Sequence, residues 1–144
     1  MLWSKLASRN PLEVQLPDHV SVEEGALLEP LSVAVHACRR GGVTIGKRVL
    51  VLGAGPIGLV NLLVAKAMGA SSIIITDIDK NRLRRATALG ADSTINVQSY
   101  ASDAQLRDSI IGGGEHGTST LPDVTIECSG AEASIRAGIL VSYF

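Results

Sequence analysis

The chain has 144 residues, 46% of them hydrophobic, with a mean hydropathy of +0.28. That is the length of one domain and excludes an intrinsically disordered polymer, which needs few apolar residues and a high net charge. Thirteen Lys and Arg against fourteen Asp and Glu leave a formal charge of −1, so no basic excess exists to attract nucleic acid or an anionic membrane. Aromatics supply only 3% of the residues. Val, Ile, Leu and Ala must fill the core, as they do in parallel sheets buried on both faces.

Residues 1–20 read as an irregular lead-in, punctuated by Pro11, Pro17 and Asp18. Lys5 and Arg9 precede the first acid, Glu13, but the segment lacks the apolar block and cleavage site of a secretory signal. Ser21-Val22-Glu23-Glu24 has the form of a capping box opening a short helix. A break is expected near Glu29-Pro30, then a second helix with Pro30 in its first turn, running to Arg40 and stopped by Gly41-Gly42.

From Lys47 onward the pattern alternates. Strands are predicted at Arg48–Leu52, Ser72–Thr76, Ser93–Val97 and Val124–Cys128. Helices are predicted at Pro56–Met68, from an Asp79 cap to Leu89, at Asp103–Ile111 and at Ala131–Val141. The first of these is apolar almost all round, so burial is expected for it. In the second, Leu83, Ala86 and Leu89 should face inward. Asn61 and Lys66 interrupt Ile57–Ala70, the best apolar run, short of the roughly 18 residues of a membrane helix. The fold expected is α/β, a doubly wound parallel sheet of Rossmann type with a short helical lead-in.

Gly53-Ala54-Gly55-Pro56-Ile57-Gly58 is a GxGxxG run placed directly after the first strand and at the start of a helix. In that context Gly53 permits a tight turn, Gly55 lets the backbone approach a pyrophosphate, and Gly58 lets helix and strand pack closely. The phosphates would lie at the helix N-terminus, where free N–H groups favour an anion. Asp77 follows Gly58 by nineteen residues and stands directly after the second strand, so its carboxylate can accept both hydroxyls of an adenosine ribose. Arg82, five residues further on, can reach the ribose or the adenine edge. NAD is the cofactor this arrangement implies.

The remaining chemistry-bearing residues favour plainer readings. Cys38 and Cys128 stand ninety residues apart, in neither CxxC nor CxxH spacing, which fits a reduced, cytoplasmic setting without a disulfide framework. Arg84 and Arg85 read as a solvated helix face and His36 as a structural histidine among apolar neighbours. His19 and His116 fall in loops without a visible partner. Cys128 closes the fourth strand as a small buried residue, and Ser129-Gly130 can line the adenine side. Gly112-Gly113-Gly114 follows a helix and opens none, so it is a connector.

Four runs carry a family resemblance: Leu27-Leu28-Glu29-Pro30-Leu31-Ser32-Val33, His36-Ala37-Cys38-Arg39-Arg40-Gly41-Gly42-Val43, the glycine fingerprint, and Thr125-Ile126-Glu127-Cys128-Ser129-Gly130-Ala131-Glu132-Ala133-Ser134. Together they resemble the zinc-containing medium-chain polyol dehydrogenases over roughly Leu16 to Leu140. The resemblance implies NAD-dependent oxidation of a polyol such as sorbitol to a ketose, with zinc as Lewis acid, in homo-oligomers. It implies that Ile57, Asp77 and Arg82 contact NAD, and that Glu29 is the acid facing the catalytic zinc near its bound water. The family's other zinc ligands, a Cys and a His-Glu pair, belong to a domain preceding Leu16, and residues 1–15 contain neither Cys nor His. Two further strands are also expected beyond the fourth. Residues 21–144 therefore read as a partial NAD-binding domain, the adenine half, lacking the zinc-bearing domain and expected to be inactive alone. A non-catalytic NAD-binding or partner-binding module would use the same cleft.

Overall fold

The computed structural model describes residues 16–112 and 121–142. Four strands, β1 (Arg48–Leu52), β2 (Ser72–Asp77), β3 (Ser93–Asn96) and β4 (Val124–Glu127), form one sheet in the order β3-β2-β1-β4, all parallel. Strand order builds outward through β3, then jumps back to place β4 on the far side of β1. That reversal puts a crevice at the carboxyl ends of β1 and β4, where ligands bind in sheets of this kind. The expected α/β Rossmann-type architecture is present.

Helices cover both faces because strand residues alternate between them. Val49, Val51, Ile73 and Ile75 pack with Leu62 and Ala65 of α3 (Pro56–Ala67), Leu83 and Ala86 of α4 (Lys80–Ala88), and Ala34 and Cys38 of α2 (Leu28–Arg40). On the other face Leu50, Leu52 and Ile95 meet Leu106 and Ile110 of α5 (Asp103–Ile111), and Ala137 and Val141 of α6 (Glu132–Ser142). Leu50 and Leu52 are essentially fully buried, each stabilising the fold by roughly 1.5–3 kcal/mol relative to exposure.

The capping box forms as expected: the Glu24 amide donates to Ser21 Oγ at 3.2 Å and the Ser21 amide to Glu24 Oε2 at 2.8 Å, opening α1 (Val22–Ala26). The break after α1 comes at Leu27, two residues before the expected position, because Leu27 keeps helical torsions and caps both helices. Pro30 is then the third residue of α2, still in the turn where an amide has no intrahelical acceptor.

Other ends move by a residue or so. β2 gains Asp77, β4 stops before Cys128, and β3 stops at Asn96, whose side chain accepts from the Gln98 amide and turns the chain into a 3₁₀ turn at Val97–Ser99. Three burial expectations on the helices fail. Helix α3 packs on the sheet and on α2 but leaves a third side open, with Leu63 43% exposed. Leu89 lies beyond the last turn of α4 and is exposed, and His36 faces solvent from α2. Gly112 caps α5, whereas Gly113, Gly114, His116 and residues 1–15 lie outside the described residues.

Candidate cofactor-binding site

The crevice is an open cleft of about 200 Å³ at the carboxyl edge, lined by Gly53 and Gly55, by Asp77, Ile78 and Arg82, by Cys128 and Ser129, and by Val97 and Ser134. It joins the turn after β1 to those after β2 and β4. Sequence spacing alone placed Gly53, Gly55, Asp77 and Arg82 together, and the structure brings these four to one cleft.

The glycine turn is held from below. Gly53 adopts φ +101°, a conformation that L side chains rarely take, and its amide donates to the Thr76 carbonyl at 2.8 Å. The next amide, Ala54, donates to Asp77 Oδ2 at 2.7 Å, so the turn after β1 is tied to the end of β2. A Cβ on Gly58 would sit 1.8 Å from the Gly53 carbonyl oxygen, which explains why only glycine fits there. Gly55 is the opposite case: a Cβ there would meet nothing within 4 Å. Its bare face looks onto open space at the start of α3. No side chain caps α3, and Pro56 offers no donor, so the first-turn amides of Ile57 and Gly58 are left without intrahelical acceptors.

Asp77 is 8% exposed and closes β2 opposite Asn96 of β3. Its carboxylate accepts from Ala54 and, through Oδ1, from the Asp79 amide at 2.8 Å, with the Arg82 Nη1 3.8 Å from Oδ2. An ionised carboxylate has about four acceptor positions, and two amides occupy two of them. The rest can take a pair of vicinal hydroxyls. Arg82, half exposed, crosses the same opening and can pair with an anion or stack on a ring. It enters on α4, whose first turn Asp79 caps by accepting from the Asn81 and Arg82 amides; those bonds hold the Asp79 carboxyl below its ordinary range.

The turn after β4 supplies a wall that spacing reasoning only half found. Ser129 lines the cleft as expected, but Cys128 does so too, half-buried rather than buried. Burial first, then the Glu127 charge and Cys38, push its thiol up to about 11. Glu127 folds back on this turn. Burial opposes its charge, yet bonds from the Ser129 hydroxyl and from the Ser129 and Gly130 amides hold its carboxyl below the ordinary value. Val97 and Ser134 went unread, although each immediately follows a strand end or opens a helix at the carboxyl edge.

Three expected site residues are not in the cleft wall. Gly58 is buried in α3 beneath the glycine turn, against the Gly53 carbonyl. Ile57 sits in the first turn of α3, 38% exposed. Glu29 is exposed in the first turn of α2, where its backbone carbonyl accepts from Ser32 Oγ at 2.7 Å. Among the described residues no three His, Cys, Asp or Glu side chains gather as a metal site would require. The described residues thus fit a dinucleotide and do not complete a zinc centre around Glu29.

A zinc-binding dehydrogenase family model matches residues 56–142. Sorbitol dehydrogenase of Macaca fascicularis is 56% identical over 125 residues, which is 87% of this chain and 34% of that protein. Among solved structures, a zinc-binding-dehydrogenase-type protein from Sinorhizobium meliloti 1021 bound to NADP superposes with a TM-score of 0.79 at 26% identity, over 90% of this chain and 36% of its own. An alcohol dehydrogenase from Escherichia coli CFT073 in complex with NADH gives 0.74 at 25% identity, over 90% and 36%. The chain therefore spans about a third of the length of the relatives it matches.

Proposed function

The chain belongs to the zinc-binding dehydrogenase family, and from that premise we propose that it is the cofactor-binding part of an NAD-dependent polyol dehydrogenase. The observation that carries the reading is Asp77: a buried carboxylate, fixed by two backbone amides, with acceptor capacity left beside the open face of Gly55. Identity to sorbitol dehydrogenase supports a polyol such as sorbitol as substrate of the whole enzyme.

Asp77 accepts the adenosine ribose hydroxyls, and Arg82 covers the ribose from α4. Gly55 admits the pyrophosphate to the amides of Ile57 and Gly58, and the Cys128–Ser129 turn closes the opposite wall. NAD, when bound, supplies the hydride acceptor. The zinc that the resemblance attaches to Glu29 forms no part of this reading.

The reading predicts a preference for NAD over NADP. A 2′-phosphate removes a donor hydroxyl and sets an anion beside Asp77. Hydrogen bonds to charged groups contribute roughly 1.5–3 kcal/mol, so NADP should bind on the order of ten- to a hundredfold more weakly. Arg82 works against this by pairing with a phosphate, but Asp77 is the buried and better-fixed group. Titrating both dinucleotides into the wild type and Asp77→Ser tests it. Equal affinities in the wild type, or an unchanged ratio in the variant, would refute the assignment.

A further inference from the structure

A buried amide sits beneath the cleft that nothing above has used. Asn61 lies one helical turn beyond Ile57 on α3 and is 1% exposed. Its Nδ2 donates to the Ile57 carbonyl at 2.9 Å and to Cys128 Sγ at 3.6 Å. Its Oδ1 accepts from Cys38 Sγ of α2 at 3.8 Å. Sulfur is a weak donor and a weak acceptor, so two of these three partners compensate poorly for burying an amide. A leucine, which has the same branching, would satisfy this apolar neighbourhood without a buried polar group.

What the amide does instead is join two elements that border the cleft. One is the first turn of α3, which follows Gly55 of the cleft wall and is reached through the Ile57 carbonyl. The other is the turn after β4, reached through the Cys128 thiol. That second wall presses on the glycine turn: a Cβ on Gly53 would lie 3.0 Å from the Ser129 amide nitrogen and 3.1 Å from the Cys128 carbonyl carbon. The backbone of the turn is otherwise tied by the Cys128 amide to the Leu52 carbonyl at 2.8 Å and by its own Glu127. Among the described residues, Asn61 adds a side-chain tie from α3.

We infer that Asn61 is a positioning residue for dinucleotide binding, setting the spacing between the α3 N-terminus and the Cys128–Ser129 wall through the Cys128 thiol. The inference rests on the cofactor reading above and goes beyond it by assigning a role to a residue outside the cleft lining.

The test measures NAD affinity by calorimetry, melting temperature, and hydrogen exchange at the Cys128–Gly130 amides without cofactor. The proteins are the wild type, Asn61→Leu, Cys128→Ala, Cys128→Ser and the Asn61→Leu/Cys128→Ala double variant. Asn61→Leu should bind NAD about two- to tenfold more weakly, the range of one ordinary hydrogen bond, with no fall in melting temperature and faster exchange in the turn. The double variant should be no weaker than the worse single one, because both remove the same contact. Cys128→Ser, which keeps an acceptor, should recover part of what Cys128→Ala loses. Unchanged NAD affinity in Asn61→Leu, additive losses in the double variant, or affinity that merely follows melting temperature would each overturn the inference. Should Asn61→Leu not fold, an affinity for Cys128→Ala equal to that of Cys128→Ser overturns it equally. A wild type that binds no NAD removes the cofactor reading itself. Exchange then still decides the tie, and unchanged protection at Cys128–Gly130 in Asn61→Leu overturns it.

Discussion

The carboxyl end of β2 and the first turn of α2 each present one acid, Asp77 and Glu29, under opposite constraints. Asp77 is buried, accepts two backbone amides and stands beside a cationic neighbour and an open cleft. Glu29 is exposed, and its carboxylate has no hydrogen bond or ion pair among the described residues. The two differ in where their partners come from. Everything that fixes Asp77 lies between Gly53 and Arg82, so a single βαβ unit builds the surroundings as it folds. A metal site at Glu29 would need ligands from elsewhere, and the described residues do not supply them. Local geometry sets one acid in a cleft and leaves the other on a surface.

The largest expected effect probes the local geometry itself. In Gly58→Val the new side chain would strike the Gly53 carbonyl, a backbone atom that cannot swing aside. Overpacking in a tight core costs about 1–3 kcal/mol, and contact with backbone belongs at or above that upper end. Soluble yield and thermal unfolding by circular dichroism are the measurements. A Gly58→Val protein that melts like the wild type would break the claim that α3 and β1 are locked at this point.

Three residues away the same loop should behave in reverse. Gly55→Ala meets open space, so its melting temperature should stay at the wild-type value, while the added methyl stands where a pyrophosphate would approach. NAD affinity should fall by about tenfold or more, equivalent to ~1.4 kcal/mol. Calorimetry and a melt on one sample read both. Lost stability with intact affinity would reverse the roles of the two glycines.

That contrast also marks how far the sequence could be read. The strand, the glycine spacing and Asp77 were legible because each obeys a local rule of backbone or period. The exposed third side of α3 was not, because its composition is apolar and only the positions of α2 and the sheet decide which residues are covered. The places of Cys128 and Val97 in the wall are not legible either, since they depend on strand ends that lie one residue earlier than the pattern suggests. Asn61 looked like an interruption in an apolar run. Its partners Cys38 and Cys128 are far away in sequence, and no spacing rule connects all three.

A smaller effect should appear in acid. The Asn81 and Arg82 amides hold the Asp79 carboxyl below its ordinary value, so this cap contributes stability above the unfolded carboxylate value of about 3.9. It loses that contribution as pH falls through the still lower folded value. Asp79→Asn keeps a capping acceptor without the charge. Its melting temperature should be close to the wild type's near neutrality and decline less steeply below about pH 4. Asp79→Ala should melt a few degrees lower at neutral pH. An unchanged acid slope in Asp79→Asn would mean that other groups, Asp123 and Glu127 among them, account for the acid sensitivity, since both are also held low by hydrogen bonds.

The smallest effect concerns the other acid. Glu29→Gln keeps the shape and the helix position and removes one charge from an exposed side chain. Surface changes away from caps, cores and networks usually stay within about 0.5 kcal/mol, so the melting temperature should hardly move. NAD affinity should stay within about twofold, because Glu29 does not line the cleft and its side chain is exposed to solvent. Zinc measured after dialysis should be the same in the variant and the wild type. The informative failure is specific: stoichiometric zinc in the wild type that disappears in Glu29→Gln would place Glu29 in a metal site completed by residues outside those described. The contrast with Asp77 would then be one of assembly order rather than of role, with one acid fixed by its own βαβ unit and the other waiting for ligands from beyond it.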